Sequence, residues 1–509
     1  MISTAVGSER ISRVVGYKLR KGSYQTSSPN LPQRIAILGE ANHANQANLS
    51  VMPREITTAA DAAYWFGAGS PIHQMMRILR PSSGDGVGGI PTMVYPIAEA
   101  NGATATTIDL DLTIATTATD SNTHYVIING RNGIDGQAYA YSVNKGDSKA
   151  TIEAAIAAAI NGVLSAPCSA VVGGSWLTLT SKWYGATSAE MQVRFDTNGN
   201  DCGITYVQHA KTSGTGAPSL TTALAAFGGA WNTIVVNQFG ETTNSTLETT
   251  NGIPDPDTPT GRYAGTIFKP FIAIWGSIEH TAATIGALTE ARKANVTCAV
   301  APAPYSEGFS WEAAANMTYL FARLAQDSPH LDVNGKAYPD MPIPADSIIG
   351  DMSVYTNRDY LVKKGCSTVD LIAGAYVVQD FVTTYHPDGE IPPQYRYCRN
   401  LILDWNVRYG YYLLELAYVV DKTIAPSDQS VSVDGVIKPK DWKQVIRSYA
   451  DDLANRALIA DASFMKSSLT VESSEDNPDR LDTFFRYKRT GVARISSTDA
   501  EAGFAFGVV

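Results

Sequence analysis

The two ends of the chain do most to constrain what it can fold into. Residues 1–34 carry no helical period and no core-forming run. They are basic, with Arg10, Arg13, Lys18, Arg20, Lys21 and Arg34 set against Glu9. They feed into Arg34-Ile35-Ala36-Ile37-Leu38-Gly39, a sharp strand signal. The chain closes on Gly503-Phe504-Ala505-Phe506-Gly507-Val508-Val509, a short β-prone apolar segment beyond a polar stretch. A free strand is a sticky edge, and soluble proteins normally blunt such edges. Two unblunted ends on one large chain therefore predict partner strands in other copies of the protein. The candidate residues are Val14, Val15, Tyr17 and Leu19 at one end, and Phe504, Phe506 and Val508 at the other.

The chain has 509 residues, room for about three or four domains at roughly 100–200 residues each. With 44% hydrophobic and 17% charged residues it can build sizeable cores, so disorder is not the default. A net charge of −10 over this length argues against a nucleic-acid binder, and no direct nucleic-acid contact is expected. The five cysteines (Cys168, Cys202, Cys298, Cys366, Cys398) are far apart and odd in number, the pattern of reduced thiols packed as small hydrophobes. No leader-like apolar stretch follows Met1, and no apolar run is long enough to span a bilayer. The chain is expected to start soluble and intracellular.

Organisation follows from periodicity. Thr57-Thr58 can cap a helix over 59–66, and Ser70-Pro71 can open another over 72–79, with proline at a favoured first position. The glycine-rich tract 80–89 reads as a domain boundary. From about 92 to 217 the strands are polar and Thr-rich. Thr107–Ile114 alternates strictly, further strands read at 125–130, 138–142, 176–182 and 191–195, and one alanine-rich helix covers 151–160. From about 218 to 330 strands (233–237, 271–275, 296–301) alternate with helices (221–227, 280–293, 310–325), which favours parallel strands with crossover helices. Beyond come two strands around Ala373-Gly374, long helices over 395–418 and 440–461, and a strand pair around 483–494. The fold class is α/β plus β, multidomain.

The run Leu31-Pro32-Gln33-Arg34-Ile35-Ala36-Ile37-Leu38-Gly39-Glu40 resembles the start of contractile phage tail sheath proteins of the Mu-like type. The resemblance continues through Glu55–Met75, Trp176–Lys182, Trp231–Val236, Arg292–Pro304 and the 395–418 helix with Arg396 and Arg399. Each motif is short, and their shared order along the chain carries the likeness. It implies an N-terminal arm at 1–33, a first part of a sheath core at 34–91 and an outward β-rich insertion at 92–217. An α/β domain at 218–365, a C-terminal core domain at 366–495 and a C-terminal arm at 496–509 would follow. It also implies a structural subunit of a virion tail, assembled in the host cytoplasm. Such subunits stack as hexameric rings around an inner tail tube, contact baseplate and tail terminator proteins, and contract to drive the tube through a bacterial envelope. On that reading Lys440, Lys443 and Arg447 are candidates to face the tube, giving an attraction that can be released on expansion.

Catalytic signatures are absent: there is no G-x-S-x-G, H-E-x-x-H or Walker A sequence. The 84–89 tract lacks the following Lys and Ser/Thr of a phosphate cradle. The His386-Pro387-Asp388-Gly389-Glu390 segment reads as a solvated turn, Asp109 and Asp111 as the wet face of a strand, and His280 as a helix start. No catalytic residue, cofactor or metal is expected. A capsid or other structural shell protein is the alternative reading, since it too would use arms and β-rich insertions.

Overall fold

The computed structural model describes residues 29–390 and 394–502. The N-terminal strand signal becomes Ile35–Glu40, the centre of a six-stranded sheet. Its order is Cys298–Pro302, Ile272–Ser277, Ile234–Asn237, Ile35–Glu40, Thr92–Ile97 and Arg54–Glu55. The first five run parallel and only the two-residue edge strand Arg54–Glu55 is antiparallel.

These strands read as unbroken apolar runs because both faces are covered. Alternate residues enter two separate cores: Ile35, Ile37, Ile234, Val236, Ile272 and Ile274 on one side, and Ala36, Leu38, Val235, Ala273 and Trp275 on the other. The first face is covered by helices Pro71–Leu79 and Ser310–Asp327, the second by the short helices Thr221–Ala225 and Asn244–Asn251. Gly276 permits the closest of these approaches, since a Cβ there would lie 1.7 Å from the Ser310 carbonyl oxygen.

Thr58 and Ser70 cap helices Ala59–Phe66 and Pro71–Leu79, accepting from the amides of Asp61 and His73. The glycine-rich tract does not end a domain. It returns the chain to the same sheet, where Thr92–Ile97 pairs with all six residues of Ile35–Glu40. The border expected at 92 therefore moves: Thr92–Ile97 is a core strand. Pro96 fits it because the antiparallel neighbour reaches only Met93 and Val94.

The β-rich module leaves the sheet after Ile97 and returns before Leu220. Its stalk is zipped by the Thr104 amide donating to the Thr215 carbonyl (2.9 Å) and by their hydroxyls (3.0 Å). It contains a four-stranded antiparallel sheet (Ile204–Thr212, Thr107–Ile114, Leu177–Ser181, Cys168–Val172) and a three-stranded one (Val193–Asp196, Asn122–Ile128, Ala140–Val143). Tyr206 of the first stacks on Phe195 of the second at 4.1 Å. Helix Lys149–Asn161 seals one side with Ile152, Ile156 and Ile160, and the Asn161 side chain bonds both the amide and the carbonyl of Ala170, blunting that edge.

The C-terminal part has a core of its own, in which Leu403 and Val407 of helix Cys398–Tyr418 meet Trp442, Ile446, Tyr449 and Leu453 of helix Pro439–Asn455. The expected 440–461 helix stops at Asn455 because Ala457 turns to φ 53°; Asp461 then caps a separate helix, Ala462–Ser468. The expected pair within 483–494 is also corrected. Leu481–Phe484 pairs backward with Thr470–Ser473 across a turn holding Asn477 and Pro478, and 485–494 forms no regular strand.

Candidate assembly surfaces

The tube-facing candidates sit on one amphipathic helix. Trp442, Ile446, Tyr449 and Leu453 of Pro439–Asn455 are buried. Lys440 and Arg447 are exposed and Lys443 half-buried, spaced by three and four residues along one face. Among the described residues none of the three pairs with a carboxylate. The helix's later acids are engaged, Asp451 with Lys466 and Asp452 with Arg456 (3.4 Å). Lys440, in the first turn, opposes the helix macrodipole.

The arm candidates Val14, Val15, Tyr17, Leu19, Phe504, Phe506 and Val508 lie outside the described residues. The points where the arms join the fold are visible. At the N-terminal side Asn30 donates to the Gln326 carbonyl (2.9 Å) and accepts from Arg456 (2.6 Å), while the Leu31 amide donates to Asn406 (2.8 Å). At the C-terminal side the Asp404 carboxylate takes Tyr487 Oη (2.8 Å) and both Arg489 nitrogens (2.8 and 2.6 Å). Arg494 pairs with Asp332 and Asp380 and lies over the Tyr397 ring at 3.6 Å. Ile495 is 84% exposed and residues 496–502 are exposed. Both ends thus leave through one corner, bounded by 326–332 and 456–460. The Thr470–Ser473/Leu481–Phe484 ribbon, which has no third strand among the described residues, packs at the other end of helix Pro439–Asn455, where Trp442 donates to Thr483 (3.2 Å).

A second surface joins the β-rich module to the core. Glu190 accepts from the Ser310 amide and hydroxyl (2.7 Å each) at the start of helix Ser310–Asp327, where a carboxylate suits the helix dipole. Arg131 bridges Glu312 (3.1 Å) and Asp340 (2.6 Å), and Arg194 meets Glu307 (2.9 Å). Burial pushes both Glu190 and Glu312 upward from the ordinary carboxylate range. Glu40, 1% exposed at the end of its strand, accepts from Thr187 (2.8 Å) and Gln238 (2.9 Å). Burial, aided by the nearby Glu99 charge, raises it to about 8 against the opposing bonds from Thr187 and Gln238.

The remaining polar candidates are engaged locally. Asp109 accepts from Thr178 (2.6 Å) and Asp111 pairs with Lys149 (2.5 Å). His386 bonds the Thr384 carbonyl (2.7 Å), Asp388 takes Lys293 (2.6 Å), and Glu390 accepts from Tyr385 (2.7 Å). His280 stacks on Tyr305 at 3.8 Å. Among the described residues no group of three potential metal ligands gathers, and no helix is long and apolar enough to cross a membrane. All five cysteines are buried and free.

Sequence comparison finds a curated relative, the tail sheath protein of the Mu-like prophage FluMu from Haemophilus influenzae, 24% identical over 223 residues. The chain is a relative of a phage tail sheath protein. The match spans 43% of this chain and 43% of the relative, so the chain covers less than half of that protein's length. No family model matches. Among solved structures it is similar to a sheath tail protein from Desulfitobacterium hafniense (TM-score 0.44, 10% identity, 94% of this chain and 100% of that one). It is also similar to the sheath of an extracellular contractile injection system in its contracted state (TM-score 0.44, 9% identity, 97% and 99%).

The sequence singled out the basic helix but missed Glu40, Arg131 and Glu190. Their partners lie 120 to 209 residues away (Ser310 from Glu190, Asp340 from Arg131), beyond any local pattern. One signal was available: an acid ending an otherwise apolar, fully buried strand needs a partner.

Proposed function

We propose that the chain is the structural subunit of a contractile tail sheath, polymerising as stacked hexameric rings around an inner tail tube. Contraction of the stack would drive the tube through the bacterial envelope. The observation that carries this reading is the single corner from which both ends depart, together with a ribbon whose outer edges have no partner strand among the described residues. A two-stranded ribbon is marginal alone, and a strand from a neighbour would complete it by main-chain pairing. The relative's tail sheath role supports the same conclusion.

The energetics assign the arms a limited part. An added strand of about six residues gains about 0.5–1.5 kcal/mol net per backbone hydrogen bond. Ordering it costs roughly 1–2 kcal/mol per residue. The sums nearly cancel, so arms alone do not drive assembly. Core contacts, a template, or many linked strands raising effective concentration must contribute. Arms held by backbone bonds can then stay paired while the bodies slide.

Within this reading the chain's partners are its own copies, the tail tube protein, and baseplate and terminator proteins at the two ends. Assembly takes place in the host cytoplasm. The module between Ile97 and Leu220 is the outward insertion, and Lys440, Lys443 and Arg447 face the tube. Negative-stain microscopy of the purified protein tests the proposal: tubes are expected, whereas closed shells favour the capsid alternative. Reversing the three charges to Glu should leave the melting temperature within about 2 °C, because surface residues without an ion-pair partner among the described residues contribute about ±0.5 kcal/mol or less. It should sharply reduce co-sedimentation with tail tubes. Unchanged tube binding would rule out this helix face as the contact.

A further inference from the structure

A cavity of about 310 Å³ lies between helix Cys398–Tyr418, the 254–268 segment and the stretch just after the ribbon. Its walls are aromatic, including Tyr263, Phe268, Trp405, Tyr411 and Phe485. Cavities of this size and polarity are the usual seats of small apolar groups. Three observations point to what fills it. Phe485 directly follows the ribbon strand Leu481–Phe484, so a strand added to the ribbon passes the cavity's mouth. Tyr263 is 4% exposed, and its buried hydroxyl has no hydrogen-bond partner among the described residues. Buried polar groups are nearly always paired, and a peptide carbonyl of an incoming strand would accept from it. Finally, Arg408, another lining residue with its side chain 35% exposed, is paired with Glu415 (3.3 Å) and packs near the Phe268 and Tyr412 rings, so the wall is aromatic and its charges are already balanced.

The chain's own last residues match these features. Phe504 and Phe506 stand two apart, a spacing that would put both on one side of the segment if it pairs as a strand, and Asp499 and Glu501 precede them. We propose that this cavity receives a phenylalanine of the Gly503–Val509 segment from a second copy, locking the added strand in register. Arg494 holds this chain's own tail to Asp332 and Asp380, neither of which lines the cavity, before residues 495–502 run exposed. The proposal rests on the sheath reading and adds the side-chain socket to its main-chain pairing.

The test uses the full chain with residues 503–509 removed and a labelled peptide of residues 498–509, followed by fluorescence anisotropy. Saturable binding is expected, weakened at least tenfold by replacing both phenylalanines with alanine; equal binding of the two peptides overturns the socket. In parallel, full-length Arg408→Cys and Phe506→Cys proteins are mixed, polymerised and oxidised. An inter-copy disulfide is expected, with at least tenfold less when Leu164→Cys replaces Arg408→Cys. The 164 position is 74% exposed on the β-rich module. Equal cross-linking at both positions, or an internal bond in a chain carrying Arg408→Cys and Phe506→Cys together, contradicts the proposal. If truncation blocks polymerisation but the peptide binds without regard to its phenylalanines, only the socket fails. If truncation leaves polymerisation intact, the strand-exchange reading fails with it.

Discussion

The core sheet and the C-terminal ribbon treat unpaired backbone in opposite ways. The sheet ends at one edge in Arg54–Glu55, two charged residues with Arg54 laid over Trp65 at 3.6 Å. At its other edge Thr383 bridges Ala299 and the Thr384 amide donates to the Cys298 carbonyl. Both edges are blunted or covered. The ribbon also carries charge, Glu472 and Asp482, with Arg486 over the Phe484 ring at 5.5 Å, but neither of its outer edges is covered by a further strand among the described residues, and Phe484 is 53% exposed upon it. On the proposed function, the first region is finished within one chain and the second would be finished by another. In that proposal the chain separates a body that keeps its shape from a joint that stays bonded while bodies move.

This contrast can be broken at its strongest point first. Ile274, fully buried in the sheet, should cost about 2–5 kcal/mol on truncation to alanine, measured by denaturant unfolding. Phe484→Ala on the ribbon should change monomer stability by about 0.5 kcal/mol or less yet impair polymerisation. Similar stability losses at both sites would erase the distinction.

The next effect concerns Glu40. Its folded value, about 8, lies above the usual 4.5, so between these values the folded state holds a proton that the unfolded chain has released. Stability should be greatest below about pH 4.5 and fall as pH rises to about 8, by at most about 1.4 kcal/mol per unit from this group. Glu40→Gln keeps the neutral acceptor for Thr187 and Gln238, and should flatten that slope in melts from pH 5 to 8. An unchanged slope would mean that the junction does not hold a protonated acid. The smallest effect sharpens the sheet side: Thr58→Ala should lose about 1 kcal/mol as the cap of helix Ala59–Phe66 disappears.

Much of the body was legible because its signals are local. Runs such as Ile35–Glu40, caps such as Thr58 and Ser70, and the Ala373-Gly374 turn (φ 51° and 75°) state their structure within a few residues. What was missed depends on partners remote in sequence. Ile204–Thr212 is an exposed strand, defined by its pairing with Thr107–Ile114 and kinked by a bulge between Gln208 and Ala210. Thr92–Ile97 was assigned to the wrong unit because a glycine-rich loop looks alike whether it leaves a sheet or returns to it. The basic face of Pro439–Asn455 was legible at helical spacing, but the corner where both ends meet appears only once the 326–332 segment is folded between them.

The central claim is that the ends join copies and do not build the monomer. Its most direct test is to delete residues 503–509, and separately 1–25, and to record melting temperature and sedimentation for each. Both variants should melt within about 2 °C of the full chain, as expected where little buried structure is removed, and remain as monomers where the full chain forms polymers. Intact polymers from either truncation, or a monomer that no longer folds, would contradict the account.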